Sequence, residues 1–94
     1  MNLSEEQLSV VEEMAGLFYG PFDISINLGI TGNDRENFMA AIELKAMSEP
    51  AVLSYLKGRL STDMLLRKAI RQAAQNGSSP AQQMMLNFFK ESQI

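Results

Sequence analysis

The longest uninterrupted helical pattern in the sequence runs from Ser48 to Gly77. After Pro50 it contains no proline, and its single internal glycine is Gly58. The pattern predicts Ser48 as the N-cap, Pro50 in the first turn and Gly77 as the stop. At ~1.5 Å per residue this helix would span about 40 Å, which is too long for one face to serve one small core. We therefore expect two parts of the chain to pack on its two halves.

The apolar residues of this long helix change sides near Met64. One group shares an arc of the helical wheel in the first half, and another group lies toward the opposite side in the second half. The first group is Val52, Leu53, Leu56, Leu60 and Met64, and the second is Leu65, Leu66, Ala69, Ile70 and Ala73. Glycine is costly inside a helix, by up to about 1 kcal/mol, so we expect Gly58 to allow another helix to pack closely.

The first of the shorter helices is predicted to begin at a capping box made by Ser4 and Gln7. Gly20 and Pro21 are predicted to end it, because proline does not continue a helix interior. Its apolar residues recur at helical spacing and predict one buried face. That face consists of Leu8, Val11, Ala15 and Phe18.

Two further short helices follow. Pro21 to Leu28 predicts the second helix, and Ile30 is expected to return to the core after Gly29 breaks it. Asn33 and Glu36 are predicted to act as a capping pair at the start of the third helix. The residues expected to be buried on these two helices are Ile24, Leu28, Phe38, Met39 and Ile42.

The sequence predicts a last helix with Ser79 as its N-cap, Pro80 at the first helical position and Gln82 three residues after the cap. The short connection predicts an antiparallel hairpin with the long helix. No segment alternates apolar and polar residues in the manner of a strand, so the predicted fold class is all-α. Residues 1–47 form a trihelical, helix-turn-helix-like unit in this interpretation, and residues 48–94 form an oligomerisation hairpin.

Composition excludes several kinds of function. The sequence has no cysteine and no histidine, which removes thiolate chemistry, the commonest general base and the commonest metal ligand. No nucleotide-binding fingerprint or nuclease carboxylate cluster is present. We therefore expect no enzymatic activity, no cofactor and no metal. The absence of a leader pattern and of a ~20-residue apolar segment leads us to expect a cytoplasmic protein without a membrane partner.

Charge is distributed unevenly along the chain. Residues 1–50 carry nine acidic and two basic side chains, a net charge of −7, whereas residues 51–94 carry six basic and two acidic side chains, a net charge of +4. Such asymmetry predicts an electrostatic partner for the C-terminal half. That partner is either a nucleic acid or the acidic half of the same or a neighbouring chain.

The first three predicted helices have the layout of a helix-turn-helix, with Gly29 in the turn. Asp34 and Glu36 at the start of the third helix would repel a DNA backbone, so binding through this helix alone should be weak and salt-dependent. Its candidate DNA-binding residues are Arg35, Asn37 and Lys45.

Four basic residues on the long helix form a second candidate DNA-binding surface, which is either a phosphate-contacting stripe or a solvated, ion-paired face. They are Lys57, Arg67, Lys68 and Arg71. Arg59 and Asp63 are predicted to form an intrahelical ion pair.

Several segments, in their order and spacing, resemble the small terminase subunits of tailed bacteriophages and prophages. The segments are Leu3–Gln7, Pro21–Ile30, Phe38 with Ile42, Tyr55–Leu60 and Gly77–Gln82. In that family an N-terminal helix-turn-helix is followed by a helical hairpin that assembles subunits into a ring. The ring recognises viral DNA and regulates a large motor subunit. The resemblance implies a non-enzymatic DNA-packaging adaptor in a bacterial host cell, with double-stranded DNA, a large terminase-like subunit and further copies of itself as partners.

The C-terminal half has more apolar surface than one hairpin can bury, which also predicts a homo-oligomer. The predicted interface consists of Leu65, Leu66, Ala69, Ile70, Leu86 and Phe89. Two alternatives to the packaging adaptor stay open. One is a helical interaction or scaffolding module whose degenerate helix-turn-helix binds only protein. The other is a small transcriptional regulator, which would need a two-fold dimer and a better recognition helix.

Overall fold

The structure, a computed structural model, describes residues 2–93 and contains five α-helices and no β-strand among them. The predicted all-α class is confirmed. The helices are α1 (Glu5–Gly16), α2 (Pro21–Leu28), α3 (Gly32–Glu43), α4 (Pro50–Gln75) and α5 (Ser79–Glu91). The chain divides inside α4 into two compact units, the first unit (Met1–Thr62) and the second unit (Asp63–Ile94). The predicted division between residues 47 and 48 stays a prediction.

The start of α1 confirms the capping box. The Gln7 amide donates to Ser4 Oγ at 3.1 Å, and the Ser4 amide donates to Gln7 Oε1 at 2.8 Å. The end of α1 differs from the prediction, because the helix stops at Gly16 and Phe18 adopts a left-handed φ of 66°. Phe18 is 50% exposed, so its predicted burial is wrong. The backbone turns away from the helix before the side chain can reach the core.

The bounds of α2 match the prediction. Gly29 has a φ of 75°, a conformation that glycine adopts without steric cost, and the Ile30 amide donates to the Ser25 carbonyl at 3.0 Å. This closure returns Ile30 to the core, where it is buried as expected. The predicted capping by Asn33 is wrong. Thr31 holds the extended N-cap conformation, so α3 already begins at Gly32.

The first unit has a continuous hydrophobic core to which α1, α2, α3 and the start of α4 contribute. The Gly58 position, on α4, lies directly against α1: an added Cβ would come within 2.1 Å of the Glu12 carbonyl oxygen. The predicted close approach of another helix is confirmed. The Thr62 hydroxyl, one turn further along α4, donates to the Gly16 carbonyl. The buried core residues are Val11, Ala15, Ile24, Ile30, Phe38, Ile42, Ala51 and Val52.

The face of α4 that the first unit buries is rotated from the predicted arc. Val52 is buried and Leu56 packs against the core, as expected. Leu53, Leu60 and Met64 are exposed, however, so their predicted burial is wrong. The reason is that α1 packs directly against Gly58, so the side chains near this crossing that turn inward are Tyr55, Leu56 and Thr62.

Two predicted N-caps are also wrong by one or more residues. The amides of Val52 and Leu53 both donate to the Glu49 carbonyl, so α4 begins at Pro50 and Ser48 lies outside it. Ser78, not Ser79, caps α5 by accepting from the Ala81 amide at 3.3 Å. Ser79 is the first residue of the helix itself.

The second unit is an antiparallel hairpin of the last part of α4 and α5. Gln82 Nε2 donates to the Ala74 carbonyl at 3.1 Å, and Arg67, two turns earlier on α4, lies over the ring of Phe88, later on α5. Residues earlier on α4 therefore lie beside residues later on α5, so the two helices are antiparallel. Ala81 is the only buried residue that the structure describes in this unit.

None of the helices formed by residues 2–93 is both long enough and apolar enough to span a lipid bilayer.

Candidate nucleic-acid and assembly surfaces

Arg35, the predicted base-contacting arginine, is held against α2. Its Nε donates to Ser25 Oγ at 3.1 Å, and its guanidinium carbon lies 5.2 Å from the centroid of the Phe22 ring. Ser25 is fully buried and donates in turn to the Phe22 carbonyl at 2.6 Å. Arg35 shares a face of α3 with the buried Phe38, and this polar cluster fixes the packing of α3 on α2.

The rest of α3 presents an acidic surface. Asp34, Glu36 and Glu43 are exposed, and so is Asn37, the other residue predicted to contact bases. Lys45 is exposed just beyond the helix, with a left-handed φ of 54°. DNA contacts by these residues stay a prediction, and the only arginine of α3 is already engaged within the chain.

The spacing predicted an ion pair between Arg59 and Asp63, and this prediction is wrong. Arg59 Nη2 donates to the Tyr19 carbonyl at 3.1 Å, and its guanidinium lies over the rings of Phe18 at 5.4 Å and Tyr55 at 5.0 Å. The i,i+4 spacing of Tyr55 and Arg59 was visible in the sequence. The position of Phe18 was not, because it depends on where α1 ends.

Asp63 instead forms an ion pair with Arg67, whose Nε lies 2.9 Å from Oδ2. The guanidinium of Arg67 also lies 3.9 Å from the centroid of the Phe88 ring. Both charged side chains are more than 40% exposed, so the ion pair itself stabilises by no more than about 1 kcal/mol. Arg67 therefore contributes a contact between α4 and α5, and its charge is paired with Asp63.

The other predicted phosphate-contacting residues are exposed. Lys57 lies in the first unit, and Lys68 and Arg71 lie three residues apart on α4 in the second unit. Within residues 2–93 none of these three side chains takes part in a described ion pair. Of the four basic residues predicted to contact phosphates, these three remain available to an anionic partner.

The predicted interface residues of the second unit are exposed in the single chain. Leu65 is 64% exposed, Leu86 53% and Phe89 63%. Leu66 and Ala69 are exposed as well, whereas Ile70 is half-buried. Their exposure agrees with the expectation for an isolated subunit, and their burial between subunits stays a prediction.

A second exposed apolar surface was not found from the sequence. It comprises exposed side chains after the end of α1 and on α2, and we call it the α1–α2 aromatic surface. Its members are Leu17, Phe18, Tyr19, Phe22 and Ile26, each 46% to 65% exposed. The sequence pattern assigned Phe18 to the core and gave the other four no role.

Among the described residues, no group of three or more carboxylates is arranged to hold a metal ion. Comparison with protein-family models, with curated proteins and with solved structures finds no match. The resemblance to small terminase subunits therefore rests on the sequence segments given above and stays a prediction.

Proposed function

We propose that this chain is a non-enzymatic DNA-packaging adaptor of the small terminase kind. It assembles as a homo-oligomer, binds double-stranded DNA and presents that DNA to a large motor subunit. The N-terminal trihelical arrangement and the C-terminal hairpin agree with the layout that the resemblance implies. The assembly step has the strongest physical support.

The observation that carries the proposal is the near absence of a core in the second unit. Below about 40 residues, a chain segment usually needs disulfides, metals or association to stay folded. The second unit spans Asp63–Ile94, contains no cysteine or histidine, and buries Ala81 alone among its described residues. Leu65, Leu66 and Phe89 remain exposed on it. Burying three such side chains at ~25 cal/mol per Å² stabilises an assembly by several kcal/mol, and symmetry repeats that gain.

DNA binding is assigned to exposed basic groups rather than to base reading by α3. Lys68 and Arg71 lie on one face of α4, and Lys57 is exposed in the first unit. Arg35 is held against Ser25 and Phe22, which leaves the outer surface of α3 acidic. Repetition of these three exposed basic side chains around an oligomer supplies phosphate contacts without sequence preference.

The test is a fluorescence anisotropy titration of a labelled DNA duplex at several salt concentrations. We expect the variant Lys68→Ala/Arg71→Ala to bind more weakly to every sequence and to reduce the salt slope by roughly 2 per subunit engaged. The matched control is Gln83→Ala/Asn87→Ala, which removes an exposed uncharged pair on α5. Equal binding by the charge variant and wild type would remove these residues from the DNA mechanism.

The second candidate is a helical interaction module that binds protein only. The acidic outer surface of α3, with Asp34, Glu36 and Glu43 exposed, favours it. The same titration separates the two functions. A wild-type protein that self-associates but does not bind duplex DNA at about 50 mM salt would replace the first proposal with this one.

A further inference from the structure

The turn between α4 and α5 contains a reactive pair of residues. Asn76 is followed by Gly77, and no other asparagine of the sequence precedes a glycine. An asparagine side chain can react with the backbone nitrogen of the next residue, and glycine has no side chain that would block this approach. Both residues are exposed. The position of this pair in the fold determines when the reaction occurs and what it changes.

Two hydrogen bonds close the turn at the end of α4. The Ser78 amide donates to the Ala73 carbonyl at 3.0 Å, and the Gly77 amide donates to the Ala74 carbonyl at 3.1 Å. Gly77 has a left-handed φ of 97°. This is the Schellman arrangement, in which a glycine just past the helix lets the following amides satisfy the last helical carbonyls. Asn76 is the residue immediately before that glycine.

The start of α5 depends on the same turn. Ser78 caps α5 by accepting from the Ala81 amide at 3.3 Å, and Gln82 Nε2 donates to the Ala74 carbonyl at 3.1 Å. The Ala74 carbonyl therefore accepts from both the Gly77 amide and the Gln82 side chain. Ala81 is the only buried residue that the structure describes in the second unit. With so little buried elsewhere, the hairpin relies on its turn.

The reaction is an intramolecular substitution at the side-chain carbonyl of Asn76. The Gly77 nitrogen gives up its proton and bonds to Cγ, the bond between Cγ and Nδ2 breaks, and ammonia leaves with that proton. The resulting succinimide ring then takes up one water molecule. Opening at Cγ gives aspartate, whereas opening at the backbone carbonyl gives isoaspartate, in which the main chain runs through Cγ. Water is the only other reactant.

The closed turn opposes the first step. The Gly77 nitrogen must lose its proton before it attacks, and that proton is held in the hydrogen bond to the Ala74 carbonyl. Hydrogen-bonded amides react through local opening of the structure. Apart from the adjacent residues of the chain, no atom lies within 4 Å of a Cβ built on Gly77, so packing does not shield it further. The rate at Asn76 should therefore follow the fraction of time for which the turn is open.

The products alter the turn in two ways. Aspartate and isoaspartate both add a negative charge at the C-terminal end of α4, where the helix dipole is already negative. Isoaspartate also lengthens the main chain by one carbon atom between Ala73 and Ser78. The spacing that the Schellman hydrogen bonds require is then lost. The longer main chain is expected to have the larger effect, because it removes the turn rather than weakening it.

We propose that Asn76 is a self-modification site of the second unit. Asn76 forms a succinimide with Gly77 when the turn opens, and the isoaspartate product prevents the turn from closing again. The modification needs no enzyme and makes a transient opening of the hairpin permanent. It does not depend on the DNA contacts assigned to Lys68 and Arg71. Failure of either proposal therefore leaves the other intact.

The experiment incubates the full-length protein at mildly alkaline pH and body temperature and follows each asparagine by peptide mapping. Electron-transfer fragmentation distinguishes isoaspartate from aspartate. The internal reference is Asn87, which is exposed on α5 and precedes Phe88. We expect Asn76 to convert at least about tenfold faster than Asn87, because Asn87 lies within a helix and is followed by a bulky residue. Isoaspartate should be the main product.

One variant tests whether the turn controls the rate. Ser78→Ala removes the cap of α5 and should increase the open fraction, and with it the rate at Asn76, about fivefold. The matched control is Ser92→Ala, which removes a hydroxyl at the other end of α5 and should convert like wild type. In concentrated urea the turn is open in all three proteins. Their rates should then be equal, which shows that the substitutions leave the chemistry itself unchanged.

A second measurement follows the consequence of the modification. Ion exchange separates the isoaspartate form from unmodified protein, and hydrogen exchange is measured on the amides of α5. We expect these amides to exchange at least about tenfold faster in the isoaspartate form. Asn76→Asp adds the charge without the extra carbon atom, so its amides should exchange no more than about threefold faster than those of wild type.

Three results would overturn the proposal. The first is conversion at Asn76 no faster than at Asn87. The second is an equal rate for wild type and Ser78→Ala without urea, because the turn would then not control the reaction. The third is unchanged exchange of the α5 amides in the isoaspartate form.

Discussion

The two units of this chain are built from the same kind of amphipathic helix but differ in what they bury. The first unit joins four helical segments around eight buried core residues, including the fully buried Phe38. The second unit joins two helical segments and buries Ala81 alone among its described residues. Its leucines and Phe89 stay exposed. A layered core can stabilise a segment by itself, whereas a lone hairpin with exposed apolar side chains needs another surface. The comparison therefore predicts that the second unit associates.

Truncation of one phenylalanine in each unit is the strongest test of whether the two units differ in the stability that burial provides. Phe38→Ala should lower the free energy of unfolding by about 3–5 kcal/mol, because it opens a cavity in a packed core. Phe89→Ala removes a side chain that is 63% exposed and should change the unfolding of a dilute, dissociated chain by less than about 0.5 kcal/mol. Urea denaturation followed by circular dichroism measures both. Similar losses in the two variants would mean that the units do not differ in this way.

A second variant tests the helix crossing that organises the first unit. Gly58→Ala should cost about 3 kcal/mol although alanine is the better helix former, because the new Cβ would meet the Glu12 carbonyl at 2.1 Å. Lys57→Ala, at the adjacent exposed position, is the control and should stay within about 0.5 kcal/mol of wild type. Thermal unfolding of both variants checks this. A Gly58→Ala protein as stable as wild type would show that α1 and α4 do not pack this closely.

Several features of the first unit could be predicted from the sequence because they depend on neighbouring residues. The Ser4–Gln7 capping box, the bounds of α2 and the return of Ile30 after Gly29 are of this kind. The close approach at Gly58 was predicted as well, since an interior glycine is costly unless it serves packing. Local chemistry determines the first three features, whereas the cost of an interior glycine predicts a close neighbour at Gly58 without saying that this neighbour is α1.

The candidate sites were harder to predict because they depend on helix orientation. The DNA contact expected of Arg35 stays a prediction, but the sequence did not reveal that the packing of α3 on α2 brings its Nε to Ser25 Oγ. Arg59 was expected to pair with Asp63, but the early end of α1 places Phe18 beneath its guanidinium. Residue spacing along one helix does not reveal either arrangement. The error of one residue at Ser79 has a simpler cause, since two consecutive serines offer equivalent caps.

The smallest expected effect concerns a helix end. Lys45 is exposed and holds a φ of 54° after α3, where glycine has no steric penalty. Lys45→Gly should therefore raise the free energy of unfolding by about 0.5–1 kcal/mol. The contrasting variant Lys57→Gly places glycine inside α4 and should lower stability by about 1 kcal/mol. Destabilisation by both substitutions would contradict the left-handed backbone at Lys45.

Self-association is the central claim, and light scattering coupled to size-exclusion chromatography tests it most directly. At tens of micromolar, we expect wild-type protein to have a mass several times the 10.4 kDa of one chain. Leu66→Glu/Ile70→Glu should give a smaller species that keeps its helical circular dichroism, because charges at these positions oppose burial between subunits. A wild-type protein that elutes as a 10.4 kDa monomer at these concentrations would contradict the account.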